Sequence, residues 1–398
     1  MENHYNEPNK VIKILSVDDE PDMEDLLRQK FRKQMKMKVF EFYFAHDGYE
    51  ALEILQKEKG IDFLLCDINM PGMDGLTLLT ELTKLERPAL QTIMVTAFGD
   101  MENLRTAMNN GAFDFVNKPI NFDDLEKTMD KTVSQVIQIR KSLEERDQLI
   151  AIQKDLEVAK LIQLSLVPSI FPPFPNNKEI DIFASMHAAK TVGGDLYDFF
   201  FIDKNRIGFV IGDVSGKGIP AAIFMALSRT IIRTIAHKGD STEKCIEESN
   251  NSLCKESIDQ MFVTAFYGIL NVETGDFLYT NAGHTLPYVI RTNGDTEQLP
   301  KTGNMVMGIM DEIKYNSKTT KLFAGDTVYL YTDGVTEAMN AQSEIYTEIR
   351  LESILKLVAK KSVEEICRNV EDDIYKFSGG VEQSDDITSL VFRFNGLN

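Results

Sequence analysis

At 398 residues the chain is long enough for two or three domains, and its 43% hydrophobic content supplies full cores. A formal net charge of -19 excludes a broad nucleic-acid footprint, which requires dense Lys and Arg, and favours protein partners or small charged ligands. The four cysteines, Cys66, Cys245, Cys254 and Cys367, form no C-x-x-C pair and read as reduced thiols. The opening MENHYNEPNK is polar, no later apolar run approaches the length of a membrane span, and the expected location is the cytoplasm.

Up to about Asp130, five apolar runs, VIKILSV, FEFYFA, DFLLCD, TIMVTA and FDFVNKP, alternate with amphipathic stretches. That alternation predicts an α/β doubly wound domain with a five-stranded parallel sheet. Ligands of such sheets gather beyond the carboxyl ends of the strands, where this sequence places Asp18, Asp19, Asp67, Thr96 and Lys118. Three carboxylates at one sheet edge repel unless a divalent cation joins them, and hard oxygen ligands suit Mg2+. With the ion bound, Asp67 can accept a phosphoryl group while Lys118 and the ion offset charge on the transferred oxygens. The alternative is that these acids only cap strands and helices, as Asp often does.

Through "SVDDE", "CDINMPGMDG", "VTAFG" and "NKP" this half resembles the receiver domain of two-component response regulators. The resemblance implies that Asp67 is the phosphorylation site, that Asn69 adds a backbone carbonyl to the Mg2+ shell, that Phe115 is a rotamer switch, and that a histidine kinase is the phosphodonor.

From Phe122 to Leu166 there is no Gly or Pro, and charges interleave with Val133, Val136, Ile137, Leu143, Leu149, Ile150, Leu156 and Ile162. One long helix, or two nearly continuous ones, is expected. Its apolar spacing slips around Arg140 and Asp147, so no strict heptad seam is sustained, and pairing with a second copy as a homodimer stays open. "PSIFPPFP", from Pro168 to Pro175, ends the helix. The expected domains are 1-130, a helical linker over 131-170, and 171-398.

Beyond the prolines, β-type runs (IDIFASMHA, DLYDFFFI, RIGFVIGDV, FVTAFYGIL, FLYTNAG, PYVIR, DTVYLYTDG, ITSLVFRF) are interrupted by helical stretches at about Ala221 to His237, Thr242 to Ser257 and Arg350 to Phe377. This pattern predicts an α+β sandwich. "IGDVSGKG", from Ile211 to Gly218, is not a phosphate-binding loop, because Ile211 stands where the first glycine of that motif is needed. Its Asp213 instead joins Asp195 in "VGGDLYD", Asp333 in "LYTDGVTE" and Asp385 with Asp386 in "SDDITSLVF". Four such turn-associated loci predict one carboxylate-rich centre for two hard metal ions.

These motifs, in this order, resemble the PP2C-like (PPM) metal-dependent phosphatases of the bacterial sporulation and stress-response branch, an αββα sandwich. The resemblance implies a protein serine/threonine phosphatase with two Mn2+ or Mg2+ ions. Asp213 would bridge them with the Val214 carbonyl as an added ligand, Asp333 and Asp385 would hold one ion, and Asp195 would serve the other partly through water. A metal-activated water would attack phosphorus in line. Ser215 stands where the animal and plant branch has a His, so the general acid is unassigned; Lys190 is a weak substitute for that branch's phosphate-docking Arg, and His284 in "NAGHTLP" reads as structural. "LEVAKLIQLSLVP", from Leu156 to Pro168, is similar to the helix that precedes the core in this branch.

The expectation is therefore a response regulator whose Asp67 phosphorylation controls a phosphatase acting on a phosphoserine or phosphothreonine protein, which the family implies is an anti-sigma-factor antagonist. The alternative is a catalytically silent adaptor that uses the phosphatase fold to bind a partner; retention of all four acids favours the enzyme. A DNA-binding regulator is opposed by the charge and by the lack of a helix-turn-helix.

Overall fold

The computed structural model describes residues 11–85, 87–97, 99–256 and 261–397. The chain divides between Ala151 and Ile152 into two compact units. In the first, β1 (Ile12–Val17) leads to the short helices α1 (Pro21–Lys30) and α2 (Arg32–Lys36), then β2 (Phe40–Ala45), α3 (Gly48–Lys57), β3 (Phe63–Asp67), α4 (Gly75–Leu82), β4 (Gln91–Ala97), α5 (Met101–Asn109) and β5 (Asp114–Lys118). The sheet order is β2-β1-β3-β4-β5, parallel throughout. All five strands lie where the alternation predicts.

Chain order reverses at β1, which has β2 on one side and β3 on the other, so a crevice opens beyond the carboxyl ends of β1 and β3. Helix starts near that edge are fixed by acids: Asp47 accepts from the amides of Tyr49 and Glu50, and Asp74 from that of Thr77. Gly75 is required there, because a Cβ would run into the Asp67 carbonyl.

Helix α6 (Phe122–Leu166) is one continuous element of 45 residues. Its first turns bury Leu125, Met129 and Val133 against the sheet core, and Arg140 pairs with the buried Asp62. Further along, Leu149, Ile150, Ile152, Val158, Leu161 and Ile162 are exposed.

The second unit stacks two five-stranded antiparallel sheets between helices. Its elements are β6 (Ile180–His187), β7 (Leu196–Phe201), β8 (Arg206–Val214), α7 (Ile219–Ala236), α8 (Thr242–Glu256), β9 (Val263–Asn271), β10 (Asp276–Ala282), β11 (Tyr288–Ile290), β12 (Thr296–Gln298), β13 (Lys318–Lys321), β14 (Thr327–Tyr331), α9 (Thr347–Val358), α10 (Val363–Ser378) and β15 (Ile387–Phe394). The sheets run β13-β10-β9-β8-β7 and β12-β11-β14-β15-β6. Their facing sides share a core that includes Ile182, Phe209, Phe266, Phe277 and Leu330, with Phe209 stacked on Phe392 across the layers at 4.0 Å between centroids. Helices α7 and α8 cover one sheet and α9 and α10 the other.

The structure differs from the sequence reading at three points here. The stretch from Arg350 to Phe377 is two helices, because Ser362 and Glu365 form a capping box that starts α10. Strands β12 and β13 are short and polar, without the apolar alternation that marks a strand. Helix α7 is by length and composition apolar enough to cross a membrane, although its arginines break the run to the eye. Within the unit it is a core helix, with Ala221, Phe224, Met225, Ile232 and Ile235 buried, and Arg229 and Arg233 paired with the buried Asp198 at 2.9 and 2.7 Å. The expected end of α8 at Ser257 lies outside the described residues.

Candidate functional site

In the receiver-like unit, the sheet edge brings Asp18, Asp67 and Lys118 together. The Lys118 ammonium lies 2.7 Å from Asp67, 3.1 Å from Asp18 and 3.0 Å from Glu20. Burial pulls the Lys118 pKa down, but these three carboxylates outweigh it and hold the ammonium charged well above its usual range. Burial raises the Asp18 carboxyl above the usual carboxylate range, with Lys118 opposing it. The carboxylate oxygens of Asp18, Glu20 and Asp67 lie within 4.8 Å of one another, the one such group of three among the described residues.

Asp19, expected in this set, lies just past the end of β1, is exposed and stands outside the group, whereas Asp18 is buried and accepts the Glu20 amide on its Oδ1 at 2.9 Å. The Asn69 amide donates to Asp67 Oδ1 at 3.3 Å. Thr96 is buried and its Oγ1 has no hydrogen-bond partner among the described residues, on β4 beside the strand that ends in Asp67. Phe115 is half-buried against the core. A donor set of three acids, one lysine and an orphaned hydroxyl fits a divalent cation together with a phosphoryl group.

In the second unit, β8 delivers Asp213, the loop before β7 delivers Asp195, the 3-10 turn Asp333–Val335 delivers Asp333, and the turn into β15 delivers Asp385 and Asp386. Asp195 is fully buried and adjoins Asp213; burial first, then the neighbouring Asp213 charge, raises its pKa. For Asp213, burial and then the charges of Asp333, Asp385 and Asp386 push the carboxyl up to about 7. Asp333 is raised as well, by burial, Glu337 and Asp385. Repulsion of this kind is what a hard cation relieves, so the donor set fits divalent ions, although no three of these acids close to within 4.8 Å among the described residues.

Asp385 and Asp386 have separate tasks. Asp386 is buried, and its carboxylate accepts the amides of Ala189 at 2.8 Å and Gly194 at 2.6 Å, holding the loop that carries Asp195. Gly193 is needed because a Cβ would collide with that carboxylate, and Gly194 because a Cβ would sit 2.9 Å from the Val214 carbonyl. Asp385 meets Lys217 at 3.0 Å, so the lysine of the "GKG" stretch serves a carboxylate. Thr332 Oγ1 donates to Asp195 at 2.7 Å.

Ser215 accepts the Phe262 amide at 3.0 Å and is thereby committed to the backbone. Lys190 is exposed and makes no ion pair among the described residues. His284 is buried, which lowers its pKa to about 4; its Nδ1 lies 2.8 Å from Thr264 Oγ1, which donates to the Asp213 carbonyl at 3.4 Å. This places the imidazole behind the Asp213 backbone.

Sequence reasoning missed Gln163. Near the end of α6 its buried amide donates to the Gly193 carbonyl at 2.7 Å and accepts the Gly193 amide at 3.1 Å, clamping the loop two residues from Asp195. A glutamine on a charged helix reads as a solvated residue, and no signal in the sequence sets it apart.

The family profile described as Response regulator receiver domain matches residues 14–130, and that described as Stage II sporulation protein E (SpoIIE) matches residues 203–395. Protein IcfG of Synechocystis sp. is 29% identical over 268 residues, 60% of this chain and 41% of that protein. Phosphoserine phosphatase RsbU of Bacillus subtilis is 27% identical over 276 residues, 68% of this chain and 80% of that protein. The solved SiaA-PP2C domain of Pseudomonas aeruginosa covers 62% of this chain and 98% of its own, with a TM-score of 0.55 at 21% identity, a likeness of fold.

Fold and sites together define a response regulator whose output domain has the PP2C phosphatase architecture. Residues 14–130 thus match the response regulator receiver family and residues 203–395 the SpoIIE family.

Proposed function

We propose that this chain is a protein serine/threonine phosphatase governed by phosphorylation of Asp67. The observation that carries the reading is the pairing, in one chain, of a lysine-held acceptor carboxylate, Lys118 to Asp67 at 2.7 Å, with a second, buried acid set whose charges raise one another's pKa. The reading assigns residues 1–130 to the receiver, 131–170 to the linker and 171–398 to the phosphatase.

In the receiver, Asp18, Glu20 and Asp67, with the Asn69 carbonyl, would hold Mg2+. Asp67 Oδ attacks the phosphorus of the donor, which we take to be the phosphohistidine of a histidine kinase, the P–N bond breaks and the imidazole leaves with a proton from solvent; Lys118 neutralises the oxygens of the aspartyl phosphate and the Thr96 hydroxyl gains an acceptor. In the phosphatase, Asp195, Asp213, Asp333, Asp385 and the Val214 carbonyl would hold two Mn2+ or Mg2+ ions. Such ions, when bound, lower the pKa of water and stabilise charge on phosphoryl oxygens. The protein's own part is positional: Asp386 and Gln163 set the loop bearing Asp195, and Thr264 with His284 backs Asp213.

Phosphoserine or phosphothreonine on a protein is the substrate class, supported by the name of the relative phosphoserine phosphatase RsbU; an anti-sigma-factor antagonist is the member of that class we favour, and the cytoplasm the location. Coupling runs through α6, an unbroken helix from the receiver core to the Gln163 clamp, and the exposed apolar residues from Leu149 to Ile162 are the surface through which two copies would pair. The test is Mn2+-dependent hydrolysis of p-nitrophenyl phosphate and of a phosphoserine peptide by the full chain. Turnover that EDTA abolishes supports the enzyme; none under any divalent ion would leave an adaptor.

A further inference from the structure

Beside the acid centre the phosphatase unit carries a cleft of about 480 Å³, walled by α10, the turn leading into β15 and the segment after the 3-10 turn at Asp333. Asp385 and Gly334 form part of its lining, so the cleft is continuous with the carboxylate set proposed to act on the phosphoryl group. Its volume falls in the range of sites that enclose a ligand.

The lining has two chemical characters. Tyr375, Met339 and Val381 line it and remain 73%, 42% and 38% exposed, an unusual display of apolar surface beside a charged centre. Glu371, Asp372, Glu382 and Asp385 also line it, against His187 as the one basic-capable group. Glu371 is committed to His187 at 3.2 Å and to Ser185, and Asp385 to Lys217. Asp372 and Glu382 are exposed and have no ion-pair partner among the described residues. The turn itself is held in shape, since Gln383 Nε2 donates to the His187 carbonyl at 2.7 Å and to the Asp385 carbonyl at 2.6 Å. A preformed groove with apolar side chains and unneutralised carboxylates is complementary to a polypeptide that carries an apolar residue and a cation.

We propose that this cleft takes the stretch of substrate protein flanking the phosphoserine, and that Asp372 and Glu382 select for Lys or Arg close to the phosphorylated residue while Tyr375 packs an apolar neighbour. The inference rests on the phosphatase reading of the adjoining centre and specifies its substrate class: a basic, partly apolar phosphopeptide segment. The groove therefore discriminates among phosphoproteins, whereas the acid centre treats every phosphomonoester alike.

The test compares two phosphoserine peptides of equal length, one with Lys and Arg flanks and one with Glu flanks, and p-nitrophenyl phosphate, which is too small to fill the cleft. For the wild-type full chain the basic peptide is expected to show a kcat/KM about tenfold or more above the acidic one, with the preference shrinking as salt is added. In the double variant Asp372→Lys, Glu382→Lys, the ratio of basic-peptide to p-nitrophenyl phosphate turnover falls by about tenfold, and Tyr375→Ala lowers it for both peptides. Fluorescence anisotropy with the same labelled peptides reads the cleft without turnover, so a chain that hydrolyses nothing but binds the basic peptide in an Asp372- and Glu382-dependent way sinks the phosphatase reading and keeps the groove. Equal kcat/KM and equal binding for the two peptides, unchanged in the double variant, would overturn the proposal. A shift in sedimentation in place of peptide discrimination would assign the groove to a second copy and overturn it as well.

Discussion

Asp213 sits where its removal is most informative. Changing it to Asn leaves the shape and removes charge from the acid set, so Mn2+-stimulated turnover should fall by more than about 100-fold, the upper end of what loss of an outer partner of a metal site costs. Stability should move differently. Its carboxyl is raised from 3.8 to about 7 by burial and neighbouring acids, so across that window the folded metal-free chain binds the proton more tightly than the unfolded one. Stability of the metal-free wild type therefore falls as pH rises from about 4 to about 7, and Asp213→Asn should flatten that slope in thermal melts. Gly193→Ala would drive a Cβ into the Asp386 carboxylate; urea titration should show a loss of about 1–3 kcal/mol. Asp67→Ala should abolish labelling by acetyl phosphate, and an acid-stable, base-labile label persisting on that variant would place the acceptor elsewhere. The acids at strand ends stood out because each follows or precedes an apolar run. Glu20 and the loop-holding role of Asp386 were not legible, because which of several adjacent acids joins the centre depends on partners far along the chain, Lys118 for Glu20 and the amides of Ala189 and Gly194 for Asp386.

Among the elements, α6 carries the argument for coupling. Its legibility was high, since 45 residues without Gly or Pro have few other options. The short polar β12 and β13 were illegible for the opposite reason: they are set by the strands beside them. The break before α10 was written in the Ser362–Glu365 capping box and went unread inside a long periodic stretch. Four glycines inserted near Leu149 should leave turnover of p-nitrophenyl phosphate intact but uncouple it from the receiver, since each glycine costs about 1 kcal/mol of helix propensity. A response as large as that of the wild type would make the helix a tether only. Gln163→Ala removes both bonds to Gly193 and should lower turnover by about tenfold or more without changing Asp67 labelling.

At the scale of the whole chain, the -19 charge and the two acid-rich centres underlie the proposal of a molecule that would handle phosphoryl groups through cations twice, once to accept a group and once to remove it. The order of the two domains was legible in the motifs. The clamp by which the helix reaches the phosphatase loop required the three-dimensional path of α6. The most direct measurement of the central claim is turnover of a phosphoserine peptide by the full chain in Mn2+, with and without beryllofluoride, in the wild type and in Asp67→Ala. The account predicts a change of about 5-fold or more in the wild type, within the usual span of coupling energies, and none in the variant. Equal turnover with and without the mimic in the wild type, or an identical response in Asp67→Ala, would contradict it.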